Sequence, residues 1–197
     1  GLETTHKLVL TFAMHELFHA RSRENAERMR DLWNHSTRVA AICYVLAGLT
    51  GGFEREHAML AGLVHDIGAV AVLSYAEKCA GEEVDPVQLE AAVREMRGPV
   101  GAQILERWGF SDAYVTVARD AEAWHRDPAP EPDYADLVLV AQLHSYMGTA
   151  RMDGVPMLDE LPAFHKLEVG GLTPRMSLQA LEEAADRLNE AESLLRH

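Results

Sequence analysis

"HAMLAGLVHDIG", residues 57–68, sets His65 on the same helix face as Ala58, Ala61 and Gly62. A stripe of residues that small lets a second helix backbone come close. The matching surface lies upstream, in "LWNHSTRVAAICYVLAG" (residues 32–48), where Leu32, His35, Val39, Ile42 and Leu46 follow the 3-4-3-4 spacing of a buried face. Two such helices can pack so that His35 and His65 meet, with Asp66 at the helix end beside them. Two imidazoles and a carboxylate converging in a helical core suit either a divalent metal or a closed hydrogen-bond network.

The rest of the chain repeats the helical period, and no strand-type alternation bounded by hairpin turns interrupts it. The expectation is an all-α fold, a compact helical bundle. A first helix is predicted over Thr5 to about Arg21, and a longer one from about Glu24 to Leu49, stopped by Gly51-Gly52. A third runs from near Phe53 to "HDIG", and a short one through "AVAVLSYAEKCA" is broken by Gly81. Asp85-Pro86 reads as an N-cap with proline at the first helical position, opening a helix to about Arg97 that Gly98-Pro99 ends. "VGAQILERWG" is then a separate helix closed by Gly109, and Ser111 caps the next, which reaches Trp124. "RDPAPEPD" is a loop, Tyr134 to Met147 is a helix, and "DGVPMLDELPAF" is irregular. Ser177 is read as the cap of a terminal helix with Leu178, Leu181, Ala185, Leu188 and Leu195 as its apolar stripe, and with Glu183 and Arg187 paired outside it. The expected division is residues 1–150 as the helical domain and 151–197 as an irregular segment plus an amphipathic helix. That helix packs on the bundle or on a second copy of the chain.

Composition narrows the function. At 197 residues and 48% hydrophobic the chain can bury one sizeable core. The formal net charge of -13 repels phosphate backbones, so no nucleic-acid partner is expected. Arg21, Arg23, Arg28 and Arg30 do crowd one segment, which reads as a solvated helix face. Cys43 and Cys79 lack metal-type spacing and read as reduced thiols, and neither a signal-type h-region nor a lipidation box is found. These features give the expectation of a cytoplasmic protein with no membrane partner.

"LWNHS" followed some thirty residues later by "AGLVHDIG" resembles the HD superfamily, specifically its HD-related output domain (HDOD) branch. "HKLVLTFAMHELF" before the first histidine, and "VGAQILERWGF" and "AWHRDP" after the second, sit where that family has similar phrases. The resemblance covers roughly residues 1–150 and implies an all-α fold of the HD type used in bacterial signalling and regulation. It also implies that this chain is the C-terminal, HD-bearing half, because family members usually carry a helical subdomain ahead of "GLETTHKLVL".

Phosphohydrolases of the superfamily hold metal with a histidine, the His-Asp pair and a later aspartate. The resemblance carries the first three onto His35, His65 and Asp66, but the later aspartate falls best on Gln142, a neutral amide. Where two-metal relatives place a further histidine this chain has Arg97, Gly98 and Pro99, and an arginine there repels a second cation. His125 matches a family histidine position, followed by Arg126 where a second histidine is common. With so eroded a set, the resemblance implies a non-catalytic regulatory module without a required cofactor, acting on a protein partner or another domain. The alternative is a divalent-metal phosphohydrolase acting on a nucleotide or cyclic dinucleotide.

One motif points elsewhere. "MHELFHA" (residues 14–20) contains H-E-x-x-H, the zinc-protease spacing, with His15 and His19 one helical turn apart and Glu16 beside them. The longer glycine-containing form fails at Ser22 and Arg23, and no strand is predicted against which a peptide substrate could lie. An amphipathic helix end accounts for the stretch. His144, Ser145, Tyr146 and His165 read as surface or packing residues. Trp33, Trp108 and Trp124 read as core anchors, any one of which would mark a partner site if exposed.

Overall fold

The computed structural model describes residues 23–79, 85–149, 152, 154–169 and 172–195. The helix expected over Thr5 to Arg21, the "MHELFHA" stretch and Gly81 lie outside them. The helices are α1 (Arg23–Thr50), α2 (Arg55–Val64), α3 (Ile67–Cys79), α4 (Pro86–Arg107), α5 (Asp112–Arg119), α6 (Tyr134–Tyr146), α7 (Pro162–Val169) and α8 (Pro174–Leu195). A 3-10 turn covers Leu158–Glu160. No strand occurs among the described residues, so the fold is all-α, in the manner of an HD-type bundle.

α6 is the axis of the bundle, and every residue from Ala135 to Tyr146 is buried. That is the expected fate of "LVLVAQLHSY", a helix without a continuous polar face. A reciprocal capping box starts it: the Asp133 carboxylate accepts from the Asp136 N–H, and the Asp136 carboxylate accepts from the Asp133 N–H. α1 lies against α2, α6 and α8, while α4 is sandwiched between α3 and α5.

The apolar core has two lobes. One gathers the C-terminal half of α1 with α6, α7 and α8; the other gathers Met29 and Leu32 of α1 with α3 and α4. His35 and the His65-Asp66 pair lie where α1 and the α2–α3 path pass from one lobe to the other. The segment Arg55–Lys78 has the length and apolarity to cross a bilayer, but most of it is buried inside the bundle, and the helix is interrupted at His65-Asp66.

Several local expectations are corrected. Gly98-Pro99 does not end a helix, because α4 runs unbroken through both. A proline inside a helix costs about 3 kcal/mol or more locally, and here tertiary packing outweighs it. A Cβ on Gly98 would lie 2.6 Å from the Arg119 carbonyl oxygen, and Gly101 meets the Gly68 backbone. Those backbone approaches hold the helix through its weak point. α4 ends in a Schellman motif, with Phe110 N–H donating to Leu105 O, Gly109 N–H donating to Glu106 O, and Gly109 at φ +75°. α5 stops at Arg119 rather than Trp124.

In "DGVPMLDELPAF", a 3-10 turn and the start of α7 replace irregular chain. Ser177 lies within α8 rather than at its cap; Thr173 Oγ1 accepts from the Met176 N–H at the helix start. The buried residues of α8 include Ser177, Ala180 and Ala184, whereas Leu178 is 46% exposed. Among the described side chains, then, Ser177, Ala180 and Ala184 face inward and Leu178 does not. The side chains of Leu181, Ala185, Arg187, Leu188 and Leu195 lie outside the described set.

Candidate functional site

The α1 face forms as its spacing predicts, with Leu32, His35, Val39, Ile42 and Leu46 all buried. The small stripe of α2 meets it: a Cβ on Gly62 would come within 2.7 Å of the Ala40 Cα. This approach brings His35 Nε2 and His65 Nε2 to 3.2 Å, with Asp66 Oδ2 3.7 Å from His65 Nε2. One ligand-type atom from each of His35, His65 and Asp66 lies within 4.8 Å of the others.

The hydrogen-bond network assigns the tautomers. His65 Nδ1 is 2.7 Å from the Gly62 carbonyl oxygen, which can only accept, so Nδ1 carries the proton. Ser145 Oγ donates its proton to Gln142 O at 2.7 Å and therefore accepts from His35 Nδ1 at 3.2 Å. In their neutral forms, both imidazoles thus turn an Nε2 lone pair toward the same point. Asp66 Oδ2 is buried and no described residue donates to it. A buried carboxylate oxygen without a described donor, beside two imidazole Nε2 atoms, fits a cation, and Nδ1–H bonds to carbonyl or hydroxyl oxygens are the orientation that metal-binding histidines require. The nitrogen spacing can be bridged by metal–nitrogen bonds of about 2.0–2.1 Å. His35, His65 and Asp66 are therefore the residues that would hold a divalent ion.

The other side of the cluster carries a fixed charge. Arg97, from α4, donates to Asp66 Oδ1 and to Glu122 Oε1, with only 14% of its side chain exposed. Burial opposes the Asp66 charge, but Arg97 together with His65 and His35 holds the carboxyl well below the usual carboxylate range. Burial likewise opposes the guanidinium charge, and Asp66 and Glu122 keep Arg97 firmly protonated. Burial holds His65 below its ordinary value, against the pull of Asp66.

Gln142 is fully buried but committed elsewhere. Its amide nitrogen donates to Ala121 O at 2.5 Å, and its amide oxygen accepts from the Tyr146 hydroxyl at 3.4 Å. His125 is exposed in the turn after α5. The buried side chain there is Arg126, which bonds Asp120, Asp133 and Asp136.

Three contributors were not marked as site residues by the sequence. Tyr146 stacks on His35 with ring centroids 5.1 Å apart, Ser145 orients the same ring, and Glu122 completes the Arg97 clamp. Ser145 and Tyr146 follow Gln142 at i+3 and i+4, a spacing that could have found them. Glu122 reaches Arg97 across 25 positions of sequence, with no local signal. A cavity of about 1100 Å³ borders this side, with Arg28, Leu89, Arg97, Glu122, Trp124 and Tyr146 among its walls. His144, by contrast, is a packing residue that bonds Ser177 of α8, with burial lowering its pKa to about 4. His165 is exposed and bonds the Asp159 carbonyl, and of the tryptophans Trp108 is half exposed.

Comparison with known proteins gives a consistent picture. A family model described as HDOD domain matches residues 1–124. The crystal structure of a protein from Shewanella amazonensis SB2B, provisionally named a metal-dependent phosphohydrolase, is similar with a TM-score of 0.70 and 25% identity. That match covers 93% of this chain and 68% of the other. No curated protein matches.

Proposed function

The chain belongs to the HDOD domain family, and on that premise we propose that it is a regulatory module of the HD superfamily that acts by recognition rather than by catalysis. The observation that carries this reading is the Arg97 clamp. A phosphohydrolase of this superfamily uses metal to polarise phosphate and activate water, and needs open coordination positions facing the substrate. Here a guanidinium fills the Asp66 and Glu122 side, and Gln142 has both ends of its amide engaged within the protein. The His-Asp cluster then serves to join the two lobes of the core. Recognition is assigned to the bundle surface, where the half-exposed Trp108 offers an aromatic anchor for a partner protein or a further domain. The buried, unpaired Cys43 and the acidic net charge agree with a cytoplasmic setting and with a partner that is not nucleic acid.

A second reading, a divalent-metal phosphohydrolase acting on a nucleotide or cyclic dinucleotide, is favoured by one observation: the three converging acceptors with the unpartnered Asp66 Oδ2. The two are separated by turnover. Protein loaded with manganese, iron, zinc or magnesium is assayed against nucleotides and cyclic dinucleotides beside His65→Ala. The regulatory reading expects no hydrolysis above that of the variant. It also expects His65→Ala to lose on the order of 1–3 kcal/mol of stability in metal-free buffer, because buried polar groups lose their partner. Hydrolysis that disappears with His65→Ala overturns it.

A further inference from the structure

We propose that Arg97 is the resident cation of the His-Asp cluster and that its charge sets how tightly the cluster can hold a divalent metal. This goes beyond the regulatory reading, since it concerns metal affinity and holds or fails whether or not the chain turns over a substrate.

The Asp66 carboxylate faces two ways. Its Oδ2 points to the side of the histidines and has no described donor, while its Oδ1 accepts from Arg97. An ion bound by His35, His65 and Asp66 would therefore share one carboxylate with the guanidinium. Asp66 and Glu122 bring two negative charges, and Arg97 neutralises one. Adding a divalent ion leaves the cluster one charge positive, with two cations on opposite oxygens of one buried group. With a neutral side chain at position 97, the same ion balances the two carboxylates.

The Arg97 side chain is 14% exposed and is paired with both Asp66 and Glu122. Its helix is seated where Gly68 and Gly101 bring the α3 and α4 backbones into contact; a Cβ on Gly68 would lie 2.6 Å from the Gly101 nitrogen. The clamp is thus a fixed part of the fold, and its repulsion acts on any ion that enters. Glu122 works in the opposite direction, adding negative charge on the far side of the guanidinium.

The test is calorimetric titration of chelator-stripped protein with manganese and with zinc, using circular dichroism to report folding. Wild type and Arg97→Lys are expected to bind weakly. Arg97→Gln is expected to bind on the order of a hundredfold tighter, the effect of removing a positive charge from beside a dication. The double variant His65→Ala/Arg97→Gln should lose the gain. Equal affinities for folded wild type and Arg97→Gln would overturn the proposal, as would Arg97→Lys binding as tightly as Arg97→Gln. If Arg97→Gln fails to fold, Glu122→Gln decides: its affinity must fall below that of wild type, and an unchanged affinity overturns the proposal.

Discussion

Two polar clusters are built into this bundle, and they balance their charges differently. Around Arg126, every guanidinium nitrogen has a carboxylate: Nε reaches Asp120 at 3.2 Å, NH1 reaches Asp133 at 2.8 Å and Asp136 at 2.7 Å, and NH2 reaches Asp133 at 2.8 Å. Lys166 adds contacts to Asp127 at 3.0 Å and Asp136 at 3.5 Å. Around Asp66, donors and acceptors do not match: Asp66 Oδ2 and Arg97 Nε are both buried without a described partner, and two imidazole nitrogens face each other. The first cluster is complete as protein and ties the 126–133 loop to α6 and α7. The second leaves one buried acceptor, Asp66 Oδ2, and one buried donor, Arg97 Nε, unmatched among the described residues. Buried charge alone does not mark a functional site; the mismatch of donors and acceptors does.

The largest effect is expected at the complete cluster. Arg126→Met leaves Asp136 buried with only Lys166 as cation and should cost about 3–5 kcal/mol in urea denaturation. The deficit should shrink as pH falls. Burial already raises the Asp136 pKa in the fold, so stability is lost as pH rises through it; the same burial opposes the Asp133 charge, which its Arg126 hydrogen bond holds down. Acidification therefore relieves the buried Asp136 charge in both proteins, most where Arg126 is gone, and removes the Asp133–Arg126 contribution from the wild type alone. Metal affinity should not change in Arg126→Met, and a change would erase the distinction between the clusters.

An intermediate effect is expected from Gly68→Ala, whose Cβ would overlap the Arg97 carbonyl oxygen. Neither backbone can give way cheaply, so the cost should be about 1–3 kcal/mol, read in the same denaturation experiment. A neutral result would mean that α3 and α4 are not locked together and that the Arg97 clamp is loose. The smallest effect belongs to His125→Ala. The residue is exposed, and its replacement should stay within about 0.5 kcal/mol of wild type. A larger loss would show that its side chain makes a stabilising contact despite its exposure.

Much of the site was legible because its first layer is a matter of helix faces. The spacing of Leu32, His35 and Val39 and the small residues ahead of His65 are local patterns, and they correctly bring the two histidines together. The charge that controls the cluster was harder to read. Arg97 was visible as a cation near the site, but its grip on Asp66 and Glu122 joins α4, the α2–α3 junction and a turn after α5. Gln142 matched a ligand position, yet the Ala121 carbonyl and the Tyr146 hydroxyl claim its amide.

The sequence by itself determined the all-α class, most helix ends and the meeting of His35 with His65, because periodicity and capping act within a few residues. Only the tertiary structure decided that α4 continues through Pro99, that α8 turns Ala180 and Ala184 inward in place of Leu178, and that a guanidinium is fixed on Asp66. Each of those outcomes depends on which backbone lies against which. That is fixed by the packing of the whole bundle, and no stretch of a dozen residues contains it.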